Sequence, residues 1–428
     1  MKNFRRNTGY VFWSFAEQAS VMAIPRLILW PLAAYVVGKE AFGVFVFSLA
    51  ITSILGVQPG NGLATGILRH LSDYDSEGQK QFCGIAMRLC HIAMVILVAA
   101  GLLCLLVFGV ADLVSHRVIY CLIPLTLSLY PENQTHLLLT ECRFYRQFRA
   151  RALWFMLRSF LNLLCGFAGA KLGGLIGLVW GFTLGNAIIY GILRIQYQEQ
   201  FKVSANAAMS GILKKIWVQI TLAGVIAFAG PYLNRIVLGS LHGFNDTADL
   251  VAATGVTFIF LSPITCISSL LLSIISRYNS IQDLSRSARM QLVGIAFLGI
   301  VVCPLGLRLL ASRIMGVLYP DFGDESVHLL KILIWMVMSE TVVNLCRPFV
   351  MKFGSIRLVP IINGASLIAT LVPAMCLIPF YRAVGAAWAI VLGSAITGGL
   401  CLLATVWVCF RSSTPAKDIS FTEIETSQ

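Results

Sequence analysis

Eight charged side chains lie inside apolar segments of this 428-residue chain. The basic ones are Arg26, Arg88, Arg158, Arg235 and Lys331, and the acidic ones are Glu17, Glu132 and Glu340. An arginine at the centre of a membrane-spanning helix costs about 2.5–3.5 kcal/mol on insertion scales, so such residues need a partner or a wet cavity. Arginines in a cavity can bind an anion, whereas carboxylates can bind a proton, a cation or a hydroxyl group.

Two of the arginines are predicted to bind substrate in a central cavity. Arg26 lies about 11 residues from the outer end of its predicted span, or roughly 16 Å, which is beyond the reach of a snorkelling side chain. Arg235 is shallower, but it holds the corresponding place in the second half of the chain. Arg88 and Arg158 lie near the cytoplasmic ends of their spans, so substrate binding and snorkelling are both compatible with their positions.

The acidic residues point to a second group of contacts. Glu132 has His136 four positions on, and Glu340 has Asn344 at the same spacing, so each pair lies on one helix face. These faces are predicted to bind a coupling ion or substrate hydroxyls. An internal Glu–Arg pair or a neutral carboxyl group that bonds a neighbouring helix would explain them equally well. Glu17 is a further candidate, with a helix–helix hydrogen bond as its alternative.

No pattern typical of a metal centre or of covalent catalysis is present. The six histidines and twelve cysteines form neither CxxC nor HExxH, and the cysteines are scattered through or beside the apolar segments. The sequence therefore predicts no metal, no cofactor and no catalytic residue.

The composition decides the class of protein that must position these residues. The chain is 58% hydrophobic and 12% charged, and a soluble domain carries about twice that charged fraction. A soluble enzyme is therefore excluded. Apolar runs of about 20 residues, each long enough to cross a bilayer, recur along the chain. They predict an all-α integral membrane protein with about 12 transmembrane helices, at 10–37, 41–65, 84–109, 118–140, 152–170, 173–193, 216–240, 250–276, 291–311, 326–347, 358–381 and 385–410.

The positive charge of the chain is explained by its topology. The sequence has 32 basic and 19 acidic residues. Placing both termini in the cytoplasm puts 21 of the basic residues on the inner face and six on the outer face, as the positive-inside rule requires. No nucleic acid partner is needed to account for the excess.

The chain contains an internal repeat, in which corresponding residues of the two halves are about 208 positions apart. GLVWGFTLGNAI at 177–188 matches GAAWAIVLGSAI at 385–396, and the same offset relates Glu132 to Glu340. Arg26 and Arg235 are 209 residues apart. The repeat predicts two six-helix bundles, 1–200 and 201–410, related by a pseudo-twofold axis along the membrane normal, and a polar cytoplasmic tail at 411–428. Transporters with parallel repeats rock one bundle against the other.

Three segments resemble Wzx-type polysaccharide (O-antigen) lipid flippases of the multidrug/oligosaccharidyl-lipid/polysaccharide exporter superfamily. They are VVGKEAFGVFVFSLA after the first span, LNRIVLGSLHGF in the seventh, and the repeated G-x-x-W-x-x-x-L-G-x-A-I. The resemblance implies that the chain flips an undecaprenyl-diphosphate-linked oligosaccharide across the bacterial inner membrane. It also implies membrane lipids, a polysaccharide polymerase and a chain-length regulator as partners. Many members have an acid before the arginine of the seventh span, where this chain has Asn234.

Two other functions remain open at this point. A multidrug or cation exporter of the same superfamily would have an acidic cavity without arginine. A membrane-embedded polysaccharide polymerase or acyltransferase would have a large outward loop or an embedded catalytic histidine, and His91 and His136 are weak candidates for that role.

Overall fold

The described part of the chain is entirely helical in its regular structure. The computed structural model describes residues 9, 12–56, 58–110, 115–145, 147–197, 207–275, 286–353 and 358–412, and no strand occurs within these ranges. The helices are α1 Phe12–Val37, α2 Lys39–Gly56, α3 Gln58–His70, α4 Ser76–Val110, α5 His116–Phe144, α6 Phe148–Gln196, α7 Ala207–His242, α8 Phe244–Ile275, α9 Arg286–Phe297, α10 Cys303–Leu318, α11 Gly323–Phe353 and α12 Leu358–Ser412. Almost all of the predicted tail at 411–428 lies outside the described residues.

Seven helices in the described ranges are long and apolar enough to cross a membrane, which makes this a multi-pass membrane protein. Apolar segments take this form because lipid offers no partner for an unpaired backbone group. Two of the seven contain 49 residues, about twice the length that a bilayer requires. They break at Gly173–Gly174 and at Arg382, beside the predicted boundaries between the fifth and sixth and the eleventh and twelfth spans. The arrangement of twelve spans in two bundles, with cytoplasmic termini, stays a prediction.

Each of these two long helices folds back on itself, and glycines let the two limbs touch. The first hairpin turns at Gly173–Gly174, and a Cβ atom on Gly177 would lie 2.0 Å from the carbonyl oxygen of Gly169. In the second hairpin, a Cβ atom on Gly385 would lie 2.4 Å from the carbonyl oxygen of Leu377. Small residues allow this close approach in membranes, where apolar packing alone does not drive helices together.

The repeated motif G-x-x-W-x-x-x-L-G-x-A-I is a helix-packing motif. Its second glycine, Gly185 or Gly393, lies against the opposite limb of its hairpin. Its tryptophan points outward in both copies, since Trp180 is 48% exposed and Trp388 is 41% exposed. The matching burial pattern in the two copies supports the half-chain repeat. It also places these tryptophans on the lipid-facing surface and away from any cavity.

Replacing Gly177 by alanine is expected to lower the free energy of unfolding by about 1–3 kcal/mol, because the new methyl group would overlap a backbone oxygen that cannot rotate away. Gly191 is the matched control, since it lies in the same helix and a Cβ atom there meets nothing within 4 Å. Thermal unfolding of the two purified variants in one detergent measures the difference. Equal melting temperatures for Gly177→Ala and Gly191→Ala would contradict the packing role.

Helices from the two predicted halves share one core. Helix α2 packs against α8, and α3 packs against α7. The approach of α2 to α8 is close, because a Cβ atom on Gly43 would lie 2.0 Å from the carbonyl oxygen of Phe244. The halves are therefore in contact near the beginning of α2 and along α3.

Helix α1 is irregular around Arg26. Two π-helical turns, Ala19–Ala23 and Pro25–Leu29, follow each other in this helix. Pro25 has no N–H group to donate, so the regular bonding pattern cannot continue through it. Short π-helical segments occur frequently at functional sites.

Candidate functional site

A cavity of about 670 Å³ lies among α1, α2, α5, α6, α7, α8, α11 and α12. Its volume is within the range of roughly 300–1,000 Å³ that is usual for ligand sites. Both predicted halves contribute to the wall. The charged side chains that line it are Arg26, Arg158, Arg235, Arg347, Glu132 and Glu340. Four cations therefore face two carboxylates.

Arg26 is a cation held by aromatic rings and by no carboxylate in the described part of the chain. Its guanidinium carbon lies 4.8 Å from the ring centre of Phe258 and 5.3 Å from that of Trp30. Nη1 donates to the carbonyl oxygen of Met22 at 2.9 Å, whereas Nε is buried without a hydrogen-bond partner. Aromatic faces stabilise a cation without neutralising it.

Arg235 repeats this arrangement from the other half of the chain. It is 6% exposed, its guanidinium carbon lies 5.4 Å from the ring centre of Tyr232, and its Nε has no hydrogen-bond partner. Arg235 is close enough to Arg26 for the two charges to interact. Two uncompensated cations in a buried place are unfavourable unless an anion joins them. This end of the cavity is therefore suited to a group with two or more negative charges.

Arg158 differs from these two because it is neutralised within the protein. Nη2 donates to Glu132 Oε1 at 2.6 Å, and Nε donates to Asn186 Oδ1 at 2.9 Å. Asn162 Nδ2 also donates to Asn186 Oδ1, at 3.2 Å. An internal Glu–Arg pair, one of the alternatives drawn from the sequence, is thus what Glu132 forms.

Polar and aromatic contacts join the two predicted halves where α2, α8 and α11 meet. Lys39 Nζ lies 2.7 Å from Asp249 Oδ2, and the Asp249 side chain is 1% exposed. Ser326 donates to the other oxygen of this carboxylate at 2.5 Å. Phe42 packs against Tyr319 and Phe322, whose rings also contact each other.

The comparisons with known proteins agree with this architecture. The family model described as "Polysaccharide biosynthesis protein" matches residues 33–325. The chain belongs to this family. No curated protein matches the sequence.

Solved structures show which fold this polysaccharide biosynthesis protein has. It is similar to the lipid II flippase MurJ in an inward closed conformation, with a TM-score of 0.75, 14% identity and coverage of 94% of this chain and 91% of that one. It is also similar to an inward-facing multidrug resistance MATE family transporter of the MOP superfamily, at a TM-score of 0.67, 16% identity and coverage of 95% and 96%. A third similar structure is a MOP superfamily transporter from Pyrococcus furiosus that is described as having a binding pocket of reverse polarity. Its TM-score is 0.69 at 14% identity, with coverage of 94% of this chain and 95% of that one. The fold is that of the MOP superfamily, which confirms the family resemblance inferred from the sequence.

The cavity of this family member contains six of the nine residues proposed from the sequence. They are Arg26, Arg158, Arg235, Glu132, His136 and Glu340. Arg88, Glu17 and Asn344 do not line it. Arg88 lies on the side of α4 that faces away from the protein interior. Its side chain is exposed, whereas its neighbours Met87 and Cys90 are buried.

The other two residues outside the cavity are bound elsewhere. Glu17 accepts a hydrogen bond from Arg151 Nε at 2.9 Å, so it holds α1 to α6, which agrees with its helix–helix alternative. Asn344 Nδ2 donates to the carbonyl oxygen of Glu340 at 2.8 Å, within its own helix. The four-residue spacing of Glu340 and Asn344 therefore produces an intrahelical bond and not a polar stripe facing the cavity.

Two arginines assigned to the inner face by the charge count have other roles. Arg347 lines the cavity, and Arg151 is 6% exposed and pairs with Glu17. Both lie near the predicted inner end of a helix. The sequence alone does not distinguish a surface anchor at that place from a residue one helical turn deeper.

Asn234 does not line the cavity either. Its Nδ2 donates to the carbonyl oxygen of Ala386 at 2.9 Å. An aspartate in its place could not make that bond.

Proposed function

We propose that this protein flips a lipid-linked oligosaccharide, with an undecaprenyl-diphosphate carrier, across the bacterial inner membrane for O-antigen, capsule or exopolysaccharide assembly. The observation that carries the proposal is the pair of uncompensated arginines, Arg26 and Arg235, at one end of a cavity inside the membrane. A diphosphate has the charge and the acceptor oxygens that two guanidinium groups bind well.

The size of the cavity fits the head group of such a lipid and not its tail. A volume of about 670 Å³ accommodates a diphosphate and a few sugars. The polyprenyl chain is apolar and loses nothing by staying in the bilayer, so the protein needs to shield only the polar head. Rocking of the bundles 1–200 and 201–410 around this cavity, with both termini in the cytoplasm, would then move the head from the inner to the outer face. No bond is made or broken, so no catalytic residue or cofactor is required.

The cation exporter is the weaker alternative. The cavity has four arginines against two glutamates, and one of these glutamates is bound by Arg158. An organic cation would meet repulsion from Arg26 and Arg235 at the outer end. His136, a weak candidate for a catalytic histidine, lines the cavity, but its ring packs against Phe155 at 5.3 Å between centres, and this position alone does not favour a polymerase or acyltransferase. A polysaccharide polymerase and a chain-length regulator are proposed as the proteins that receive the flipped product.

Deletion of the gene in its own host tests the proposal. We expect lipid-linked oligosaccharide to accumulate on the cytoplasmic face, where a lectin or glycosidase added to intact spheroplasts cannot reach it. Expression of the chain from a plasmid should return the lipid to the outer face. A deletion strain whose lipid-linked oligosaccharide is fully accessible from outside would refute the flippase function. Increased sensitivity of that strain to organic cations, without such accumulation, would favour the exporter.

A further inference from the structure

The two walls of the cavity differ at positions that the half-chain repeat relates to each other. On the N-terminal wall, Arg158 neutralises Glu132. At the offset of 208 residues, the C-terminal wall has Ser366 in place of the arginine and Glu340 in place of the acid. Glu340 has Ser394 as its hydrogen-bond partner. The charge of Arg347 also acts on it, although the two form no ion pair within the described residues. The C-terminal wall therefore presents a carboxylate that is free to accept hydrogen bonds from a ligand.

A cation with no counterpart in the other half lies on the same wall. Arg347 corresponds to Leu139 at the repeat offset, and Asn363 corresponds to Phe155. Arg347 Nη2 donates to Asn363 Oδ1 at 3.0 Å, a bond that joins α11 to α12. Because an amide oxygen carries no charge, Asn363 fixes the guanidinium group at the cavity surface without neutralising it. Arg347 forms no ion pair with any described residue, and the carboxyl group on which its charge acts is that of Glu340, two turns earlier in α11.

Arg347 is too deep to share a diphosphate with the outer pair of arginines. Ser326 donates to Asp249 near the beginning of α11, and Arg347 follows it by 21 residues of the same helix, or about 30 Å. Arg235 lies seven residues from the outer end of α7, or about 10 Å. A ligand that contacts both levels must extend well beyond its diphosphate.

Small hydroxyl side chains fill the wall between these levels. Ser366, Thr370, Ser394 and Thr397 all line the cavity. Thr397 Oγ1 donates to Ser366 Oγ at 2.7 Å, which joins the two limbs of the α12 hairpin. Hydroxyl, amide and carboxylate groups side by side offer the mixed donors and acceptors that sugar hydroxyls require.

We propose that this C-terminal wall is the saccharide subsite and that Arg347, positioned by Asn363, binds an acidic group on one of the sugars. The inference rests on the proposed function and adds a substrate class to it, namely an oligosaccharide that contains a uronic acid or a similar acidic sugar. Glu340 and the hydroxyl side chains bind the neutral hydroxyl groups of the same oligosaccharide. A guanidinium group fits a carboxylate with two parallel hydrogen bonds, which makes it selective for an acidic sugar over a neutral one.

Binding of three synthetic probes to the purified full-length protein in lipid nanodiscs tests the subsite. The probes are farnesyl diphosphate, farnesyl diphosphate linked to a neutral N-acetylglucosamine disaccharide, and the same compound with glucuronate as its second sugar. We expect the wild-type protein to bind the acidic probe about tenfold more tightly than the neutral one, which corresponds to about 1.4 kcal/mol. Arg347→Gln should remove this preference and leave the Kd for farnesyl diphosphate within twofold of the wild-type value.

Two further variants keep the test independent of the folding of Arg347→Gln. Arg347→Lys retains the charge and should keep part of the preference, and Asn363→Ala should reduce it about threefold by releasing the guanidinium group. Arg26→Gln should weaken the binding of all three probes alike. Failure of the wild-type protein to bind any probe would refute the proposed function together with the subsite. Binding of farnesyl diphosphate without a preference for glucuronate, or an equal loss of both sugar probes in Arg347→Gln, would refute the subsite alone.

Discussion

Replacement of Arg26 by glutamine is expected to reduce the appearance of lipid-linked oligosaccharide on the outer face by about 100-fold or more. The side chain stays polar in this variant but becomes shorter and loses its charge. Arg26 has no carboxylate partner among the described residues, so its whole charge is available to a ligand. Loss of one partner from a buried, hydrogen-bonded charge pair costs roughly 2–5 kcal/mol, which corresponds to a factor of about 30 to several thousand.

Arg88→Gln is the matched control for this variant. Arg88 is also an arginine within a membrane segment. Its side chain is exposed on the side of α4 that faces away from the protein interior, and it does not line the cavity. Its replacement should leave transport within about twofold of the wild-type rate. Arg26→Lys should retain an intermediate rate, because an ammonium group keeps the charge but cannot form two parallel bonds with a phosphate. Wild-type transport by Arg26→Gln, at equal amounts of protein in the membrane, would refute the cavity assignment.

The positions of the helices follow from the sequence because the apolar runs leave few alternatives. A segment of about 20 apolar residues must form a helix in lipid. Two breaks between consecutive spans also follow from the sequence. Glycines at 173–174 mark the break between the fifth and sixth spans. Arg382, where the second long helix breaks, lies between the predicted spans 358–381 and 385–410. The repeat relates Arg235 to Arg26 and Glu340 to Glu132, and all four side chains line the cavity.

The direction in which each side chain points does not follow from the sequence in the same way. A soluble helix shows its buried face by a polar opposite face, whereas a membrane helix is apolar all round. The depth of Arg88 is compatible with substrate binding and with snorkelling, and in the structure its side chain is exposed on a face of α4 away from the cavity. The two copies of G-x-x-W-x-x-x-L-G-x-A-I are a second example. Their shared pattern does not reveal that the tryptophans face outward and that the glycines face the opposite limb of the hairpin.

Partners that are distant in the sequence explain the remaining differences. Arg151 lies within a basic segment that is typical of an inner-face anchor, but Glu17 is 134 positions away and binds it in the interior. Arg347 and Asn363 belong to different helices, and neither has a polar counterpart at the repeat offset. A single sequence carries no signal that pairs such residues, so contacts between helices required the structure.

Replacement of Arg151 by glutamine is expected to lower the free energy of unfolding by about 3–5 kcal/mol. The Arg151 and Glu17 side chains are 8% and 12% exposed, and Nη1 of Arg151 also donates to the carbonyl oxygen of Leu139 at 2.7 Å. Removal of the cation leaves a buried carboxylate without its partner, which is among the costliest single changes in a protein. Unfolding of the purified protein in detergent, followed by steric trapping or by thermal melting, measures this loss.

A double-mutant cycle separates the lost ion pair from a general disturbance of packing. Glu17→Gln in the Arg151→Gln background should restore most of the stability, because two amides can bond each other and neither leaves a buried charge. The exposed pair of Glu40 and Arg117, whose side chains are 61% and 75% exposed at a distance of 3.4 Å, provides the control. Glu40→Gln should cost no more than about 1 kcal/mol, because water already screens these charges. A double variant as unstable as Arg151→Gln alone would show that the arginine stabilises α1 and α6 by packing and not by its charge.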